Sequence, residues 1–177
     1  MHPFCSYANP DSAGSAERYD CLTRKVMGIL SFCSKPNALS KAEQAELFEI
    51  LPEVPYSAED LDWTNKQSRS TLEMQDTGCR PPIVGQVENM AQYDVVFIGF
   101  PVWWGREPSV VDTFLDAGDF TGKIIVPFCT SGGSGIGDTA KRMQEIVGAS
   151  AVVKEGKRLG GTVSEADLAI WTSDLGL

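Results

Sequence analysis

YDVVFIGFPVWWGREPS, from Tyr93 to Ser109, and KIIVPFCTSGGSGIGDT, from Lys123 to Thr139, decide the fold of this chain. Each opens with a short, almost continuous apolar run rich in β-branched and aromatic residues, the pattern of a parallel strand covered on both faces. Each run then empties into a loop of special chemistry, two tryptophans in the first and a string of glycines in the second. Between them, Pro108 suits the first turn of a helix, Val110, Val111, Phe114 and Leu115 recur at helical spacing, and Gly118 is placed to cap it. After the glycines, DTAKRMQEIVG predicts a second helix, with Met143, Ile146 and Val147 inward and Gly148 ending it. ASAVV (149–153) then reads as another buried strand, and GKRLGG as a loop. A last helix starts near Ser164, where Asp167 completes a capping-box spacing, and Leu168, Ile170, Trp171 and Leu175 supply its apolar face. Strand alternating with helix implies a right-handed parallel α/β sheet.

The first half is less regular. Residues 51–92 show little strand character and carry prolines at both ends. They read as a long ordered excursion with one helical turn at Ala58 to Leu61, pinned to the body by Tyr56 and Trp63. The first fifty residues admit two readings. Either VMGILSF (26–32) is the first strand and ELFEI (46–50) the second, with a crossover near the minimum length; or PFCSYA (3–8) is the first strand and AERYDCLTRKVMGIL (16–30) a helix. The first is preferred, because VMGILSF makes the better buried strand.

With 177 residues, 42% of them hydrophobic and 22% charged, the chain has the size and composition of one globular domain, residues 1–177, with 1–45 atypical. A net charge of -9 argues against nucleic acid or an anionic membrane as partner, since both require a basic face. No stretch approaches the ~20 apolar residues of a membrane helix, and the first twenty residues have no secretory pattern. Five cysteines without a CxxC pair fit reduced thiols in a cytoplasm better than a disulfide framework or a zinc site. A single histidine, His2, leaves little room for histidine-dependent triads or metal sites.

The two loops carry the candidate site. Pro101, Val102, Trp103, Trp104 and Gly105 leave one strand end, where ligands of open α/β sheets bind, and an indole can stack on a flat ring. One of the two tryptophans is expected to pack beneath the loop instead. Thr130, Ser131, Gly132, Gly133, Ser134 and Gly135 leave the next strand, with hydroxyls and bare backbone N–H groups for a polar ring edge. Gly132 and Gly137 have the glycine spacing of a P-loop, but Asp138 stands where its lysine would be, and the dinucleotide GxGxxG pattern is absent.

These stretches, together with ELFEI, PYSAEDLDWTNKQSRS (55–70) and GKRLGG, resemble the flavodoxin family over roughly residues 46–177. The resemblance implies a five-stranded sheet of order 2-1-3-4-5 in three layers, binding FMN. It would set Pro101 to Gly105 beside the isoalloxazine and Thr130 to Gly135 along its pyrimidine edge. It also implies electron transfer with redox partner proteins, or a small flavin oxidoreductase, without a catalytic acid or base. The chain departs from the family at the phosphate loop. Ser31 to Ser40 reads SFCSKPNALS, with no glycine and with a proline that removes a donor; the SAGS run, Ser12 to Ser15, has the chemistry but not the spacing. The alternative reading is a flavodoxin-fold protein that has lost phosphate binding and is a non-catalytic binding module or a degenerate homologue.

Overall fold

A computed structural model describes residues 26–30, 46–160 and 163–177 of the chain. Its main sheet is built from β1 (Val26–Leu30), β2 (Glu46–Glu49), β5 (Val95–Pro101), β6 (Ile124–Thr130), β7 (Val152–Val153) and β8 (Lys157–Arg158). The order is β2-β1-β5-β6-β7, with β8 also paired to β6, and every pairing is parallel. Counted along the chain this is the expected 2-1-3-4-5. The chain runs outward from β1 to β2 and then returns to the other side of β1 with β5. The order therefore reverses between β1 and β5.

β5 explains why the sheet is central. All but the last of its residues are buried, and they alternate between two cores. Val96, Ile98 and Phe100 point to one face, with Met27, Ile125 and Cys129. There α2 (Ser109–Ala117) supplies Val110, Val111, Phe114 and Leu115, and α3 (Thr139–Val147) supplies Met143. Val95 and Phe97 point to the opposite face, with Val126 and Phe128, under Leu168 and Trp171 of α4 (Glu165–Asp174). Each such side chain contributes about 1.5–3 kcal/mol relative to exposure. Phe97 and Trp171 meet edge to face, with ring centroids 6.0 Å apart. The result is three layers around one sheet.

The capping of α4 follows the sequence. Ser164 Oγ accepts from the Asp167 N–H at 3.1 Å, and Asp167 Oδ2 accepts from the Ser164 N–H at 2.9 Å. Several other expectations need correction. The fifth strand is broken: only Val152 and Val153 of ASAVV are strand, Val152 is exposed, and Lys157–Arg158, expected in a loop, forms β8. Ile170 faces solvent rather than the core. VMGIL is strand, so a helix running through residue 30 is excluded. The excursion holds a turn at Ala58 to Leu61 as expected, but also α1 (Arg69–Gln75) and an antiparallel pair, β3 (Leu51–Pro52) with β4 (Ile83–Val84). PFCSYA, Ser12 to Ser15 and Ser31 to Ser40 lie outside the described residues.

Candidate functional site

Beyond Pro101, the β5 backbone takes one more ladder bond, from the Val102 N–H to Thr130 O at 3.1 Å, which fixes the two loops side by side. Trp103 and Arg106 then exchange both backbone hydrogen bonds, at 2.9 and 3.0 Å, around Trp104 and Gly105. Those two residues have φ of 46° and 84°. Two central residues with positive φ are what a tight type I′ turn requires. Gly105 meets that demand freely, whereas a tryptophan in the left-handed region is an unusual and strained choice. The strain holds the Trp104 ring outward, 48% exposed.

Trp103 is the better anchored of the pair. Its ring meets Tyr56 edge to face at 5.5 Å, and the Arg69 guanidinium lies 4.1 Å over the far partner, the Tyr56 ring. The Tyr56 hydroxyl donates to Glu73, which also pairs with Arg69 at 2.7 Å. Burial and the Glu73 carboxylate both push the Tyr56 phenol well above its usual range, so it stays a donor. Tyr56 thus ties the loop to α1 as expected of it. Trp63 does not: it is 75% exposed.

Trp63 instead lines a cleft of about 510 Å³ with Leu61, Ser70, Val102, Trp103 and Trp104. Its walls are mainly apolar, and its size falls within the range of small-molecule sites. Of the expected site residues, Val102, Trp103 and Trp104 line it; Pro101 and Gly105 flank it in the chain. Thr130 to Gly135 lie alongside and are not part of its wall. Leu61, Trp63 and Ser70 were not among the expected lining residues. Their signal in the sequence is the PYSAEDLDWTNKQSRS stretch itself, whose single tryptophan suits an anchor to the body as well as a cleft wall.

The glycine loop is open. A Cβ on Gly132, Gly133 or Gly135 would meet nothing within 4 Å, and none of the three has a positive φ. Neither packing nor backbone conformation within the described residues calls for glycine there. Among the described residues no acceptor meets the backbone N–H groups of Ser131 to Gly135. What these glycines leave is accessible backbone, suited to the close approach of a ligand's polar edge.

Beneath both loops lies a buried ionic group that the sequence reading missed. Asp112, fully buried on α2, receives Arg106 Nη1 at 3.1 Å and Arg142 Nη2 at 3.3 Å on Oδ2, with Arg80 Nη1 at 3.8 Å. Glu107, equally buried, accepts from Arg142 Nε at 3.0 Å and from the Thr139 hydroxyl at 2.8 Å. Burial first, and the adjacent Glu107 carboxylate second, raise Asp112 to about 7. The two arginines act in the other direction and do not prevail. The clue was present as Arg106-Glu107, a charged pair directly behind the tryptophans. Among the described residues no group of histidine, cysteine and acidic side chains could hold a metal ion.

The flavodoxin family model matches residues 30–175. A candidate flavoprotein from Bacteroides eggerthii superposes with a TM-score of 0.80 at 36% identity, covering 86% of this chain and 98% of its own. Another from Bacteroides uniformis gives 0.78 at 33% identity, covering 85% and 98%. A Lactobacillus acidophilus flavoprotein in complex with FMN gives 0.62 at 19% identity, covering 84% and 99%, a likeness of fold alone. No curated protein matches.

Proposed function

This chain belongs to the flavodoxin family, and from that premise we propose that it binds FMN and works as a flavin-dependent electron-transfer protein or small oxidoreductase. The observation that carries the reading is the tryptophan-lined cleft at the carboxyl end of β5, next to the reversal of strand order. Open α/β sheets bind ligands at that point. The residues present fit the ring: Trp63, Trp103 and Trp104 offer flat apolar faces, and Ser131 to Gly135 offer N–H donors with no acceptor among the described residues. The Lactobacillus flavoprotein, a relative in fold, is described in complex with FMN.

FMN would supply the one- or two-electron chemistry. The chain's own part is narrower. Trp103, braced by Tyr56 and α1, fixes the position of the ring's apolar side. Trp104 and Trp63 shield it from water, and the glycine loop receives its polar edge. Redox partner proteins would dock on an acidic surface, in keeping with the net charge of -9. A cytoplasmic setting fits the free thiol of Cys79, and among the described residues no helix is long and apolar enough to cross a membrane.

Titration with FMN, followed by flavin fluorescence, tests the reading. Saturable quenching supports it. Fluorescence that stays that of free flavin at every protein concentration overturns it and leaves the non-catalytic alternative. A parallel titration with riboflavin measures what the phosphate adds, because riboflavin differs by the phosphate alone.

A further inference from the structure

We infer that the Glu107–Asp112 carboxyl pair is a proton-loaded clamp that holds the tryptophan turn and the glycine loop in register, so that the loops respond to pH through residues buried beneath them. The geometry calls for the proton. Both oxygens of Glu107 already accept, one from Arg142 and one from Thr139. Asp112 Oδ2 accepts from Arg106 and Arg142, whereas Asp112 Oδ1 is the one buried side-chain polar atom among the described residues left without a hydrogen-bond partner. Leaving a buried oxygen without a hydrogen bond is destabilising, and more so when it carries charge. Glu107 and Asp112 also lie within hydrogen-bonding reach of each other, which two bare carboxylates cannot use. A proton on Asp112 Oδ1, donated toward Glu107, resolves both problems at once.

The clamp joins the tryptophan turn, α1, α2, α3 and the end of the glycine loop. Arg106 closes the tryptophan turn and Glu107 follows it directly. Asp112 and Ser109 belong to α2, and the Arg106 guanidinium reaches the Ser109 hydroxyl at 3.0 Å and the Glu73 carbonyl of α1 at 3.4 Å. Thr139 and Arg142 belong to α3, and the Thr139 hydroxyl is also 2.8 Å from Ile136 O, at the end of the glycine loop. The charged groups facing Asp112 are therefore Glu107, Arg106, Arg142 and Arg80, and Arg80 is shared with Asp116 on the outer side. When Asp112 releases its proton to solvent, two buried carboxylates stand side by side. Their repulsion acts between α2 and the turn that carries Trp103 and Trp104. Asp112 is a positioning residue; it acts on a ligand only through that turn.

The sign follows from linkage. An acid whose native pKa lies above its unfolded value binds a proton in the native state that the unfolded chain has lost, so stability falls as pH rises between the two values. With Asp112 raised to about 7, one proton lost between pH 5.5 and 8.5 lowers the folding equilibrium constant roughly thirtyfold. The carboxylates held below their usual range by local hydrogen bonds, Asp62, Asp119 and Asp167, have finished titrating below this window.

The experiment is urea unfolding of the ligand-free protein at pH 5.5 and 8.5, with tryptophan emission of the native state recorded across the same range. Wild-type protein is expected to lose stability and shift its emission as pH rises, and Asp112→Asn, which mimics the protonated form, to show neither change. Glu107→Gln, which removes the neighbouring charge, should move the transition to lower pH and serves if Asp112→Asn does not fold. Wild-type stability that is flat from pH 5.5 to 8.5, or a pH response retained in Asp112→Asn, overturns the clamp. The consequence for affinity rests on the flavin reading and is measured separately with riboflavin, which lacks the phosphate that itself titrates near pH ~6. Riboflavin affinity should fall with pH in wild type and not in Asp112→Asn. Absence of any flavin binding would defeat the flavin reading and leave the unfolding result to judge the clamp.

Discussion

Gly137 lies against the carbonyl of Gly105: a Cβ on Gly137 would come within 2.8 Å of that oxygen. Gly105 is the second central residue of the tryptophan turn and Gly137 ends the glycine loop, so the two loops approach each other by backbone at their far ends. At their near ends the Val102 N–H bonds to Thr130 O. The loops are thus fastened at both ends, and Ser131 to Gly135 bow out between the two fastenings.

That arrangement separates two glycines by experiment. Gly137→Ala introduces both a clash with immovable backbone and an unfavourable φ of 61°. It should cost ~1–3 kcal/mol of stability, read as a lower urea midpoint. Gly133→Ala meets open space and should unfold like wild type, yet weaken FMN by obstructing the loop's approach to the ring. Equal FMN affinity in Gly133→Ala and wild type would mean that the glycine loop does not contact the cofactor.

Tyr56 makes the second test. Tyr56→Phe keeps the edge-to-face contact with Trp103 but removes the hydroxyl that donates to Glu73. Arg69 still satisfies one Glu73 oxygen at 2.7 Å, so the loss should be about 1 kcal/mol. Tyr56→Leu also removes the ring that backs Trp103. It should lower FMN affinity several-fold more than Tyr56→Phe, as measured by flavin fluorescence.

The same region shows what sequence can and cannot convey. β5, β6, α2 and α3 were legible because each buries a periodic set of apolar side chains. α1 was not, because its buried residues are Ser70, Thr71, Glu73 and Met74, and its one leucine, Leu72, is exposed. A helix that buries polar groups leaves no hydrophobic period to read. Its only local mark is the cap, Ser68, whose side chain bonds to Thr71. The tryptophan turn was legible as a site, but its far wall was not. Trp63 reaches the cleft through the tertiary placement of a loop, which no local pattern encodes. Likewise Arg106, Glu107 and Asp112 lie far along the chain from Arg142 and meet it only after α2 and α3 pack.

A stability change unrelated to the site provides a control. Ser164→Ala removes one half of the capping box on α4 and should cost ~1 kcal/mol. Ser164 is exposed and belongs to the opposite layer from the cleft. Thermal unfolding should show the loss while FMN affinity is unchanged. A parallel fall in affinity would show that global stability, rather than loop geometry, governs binding, and the loop variants would have to be reread.

Trp104 offers the sharpest distinction between a structural and a ligand-binding tryptophan. Its ring is half exposed and its backbone has a φ of 46°. An L-residue in the left-handed region costs roughly 1–2 kcal/mol, which glycine avoids. Replacing Trp104 by alanine or by glycine removes the same ring and the same buried area to within one methyl group. In ordinary helix or strand the alanine variant is the more stable of such a pair. Here the order should invert, with Trp104→Gly more stable than Trp104→Ala by about 1 kcal/mol in urea unfolding. Both variants should bind FMN more weakly than wild type, because both lack the indole face. Loss of affinity in both, together with the inverted stability order, means that the strained turn exists to present the ring. Wild-type affinity in both would assign Trp104 to the surface and leave Trp63 and Trp103 as the aromatic walls of the site.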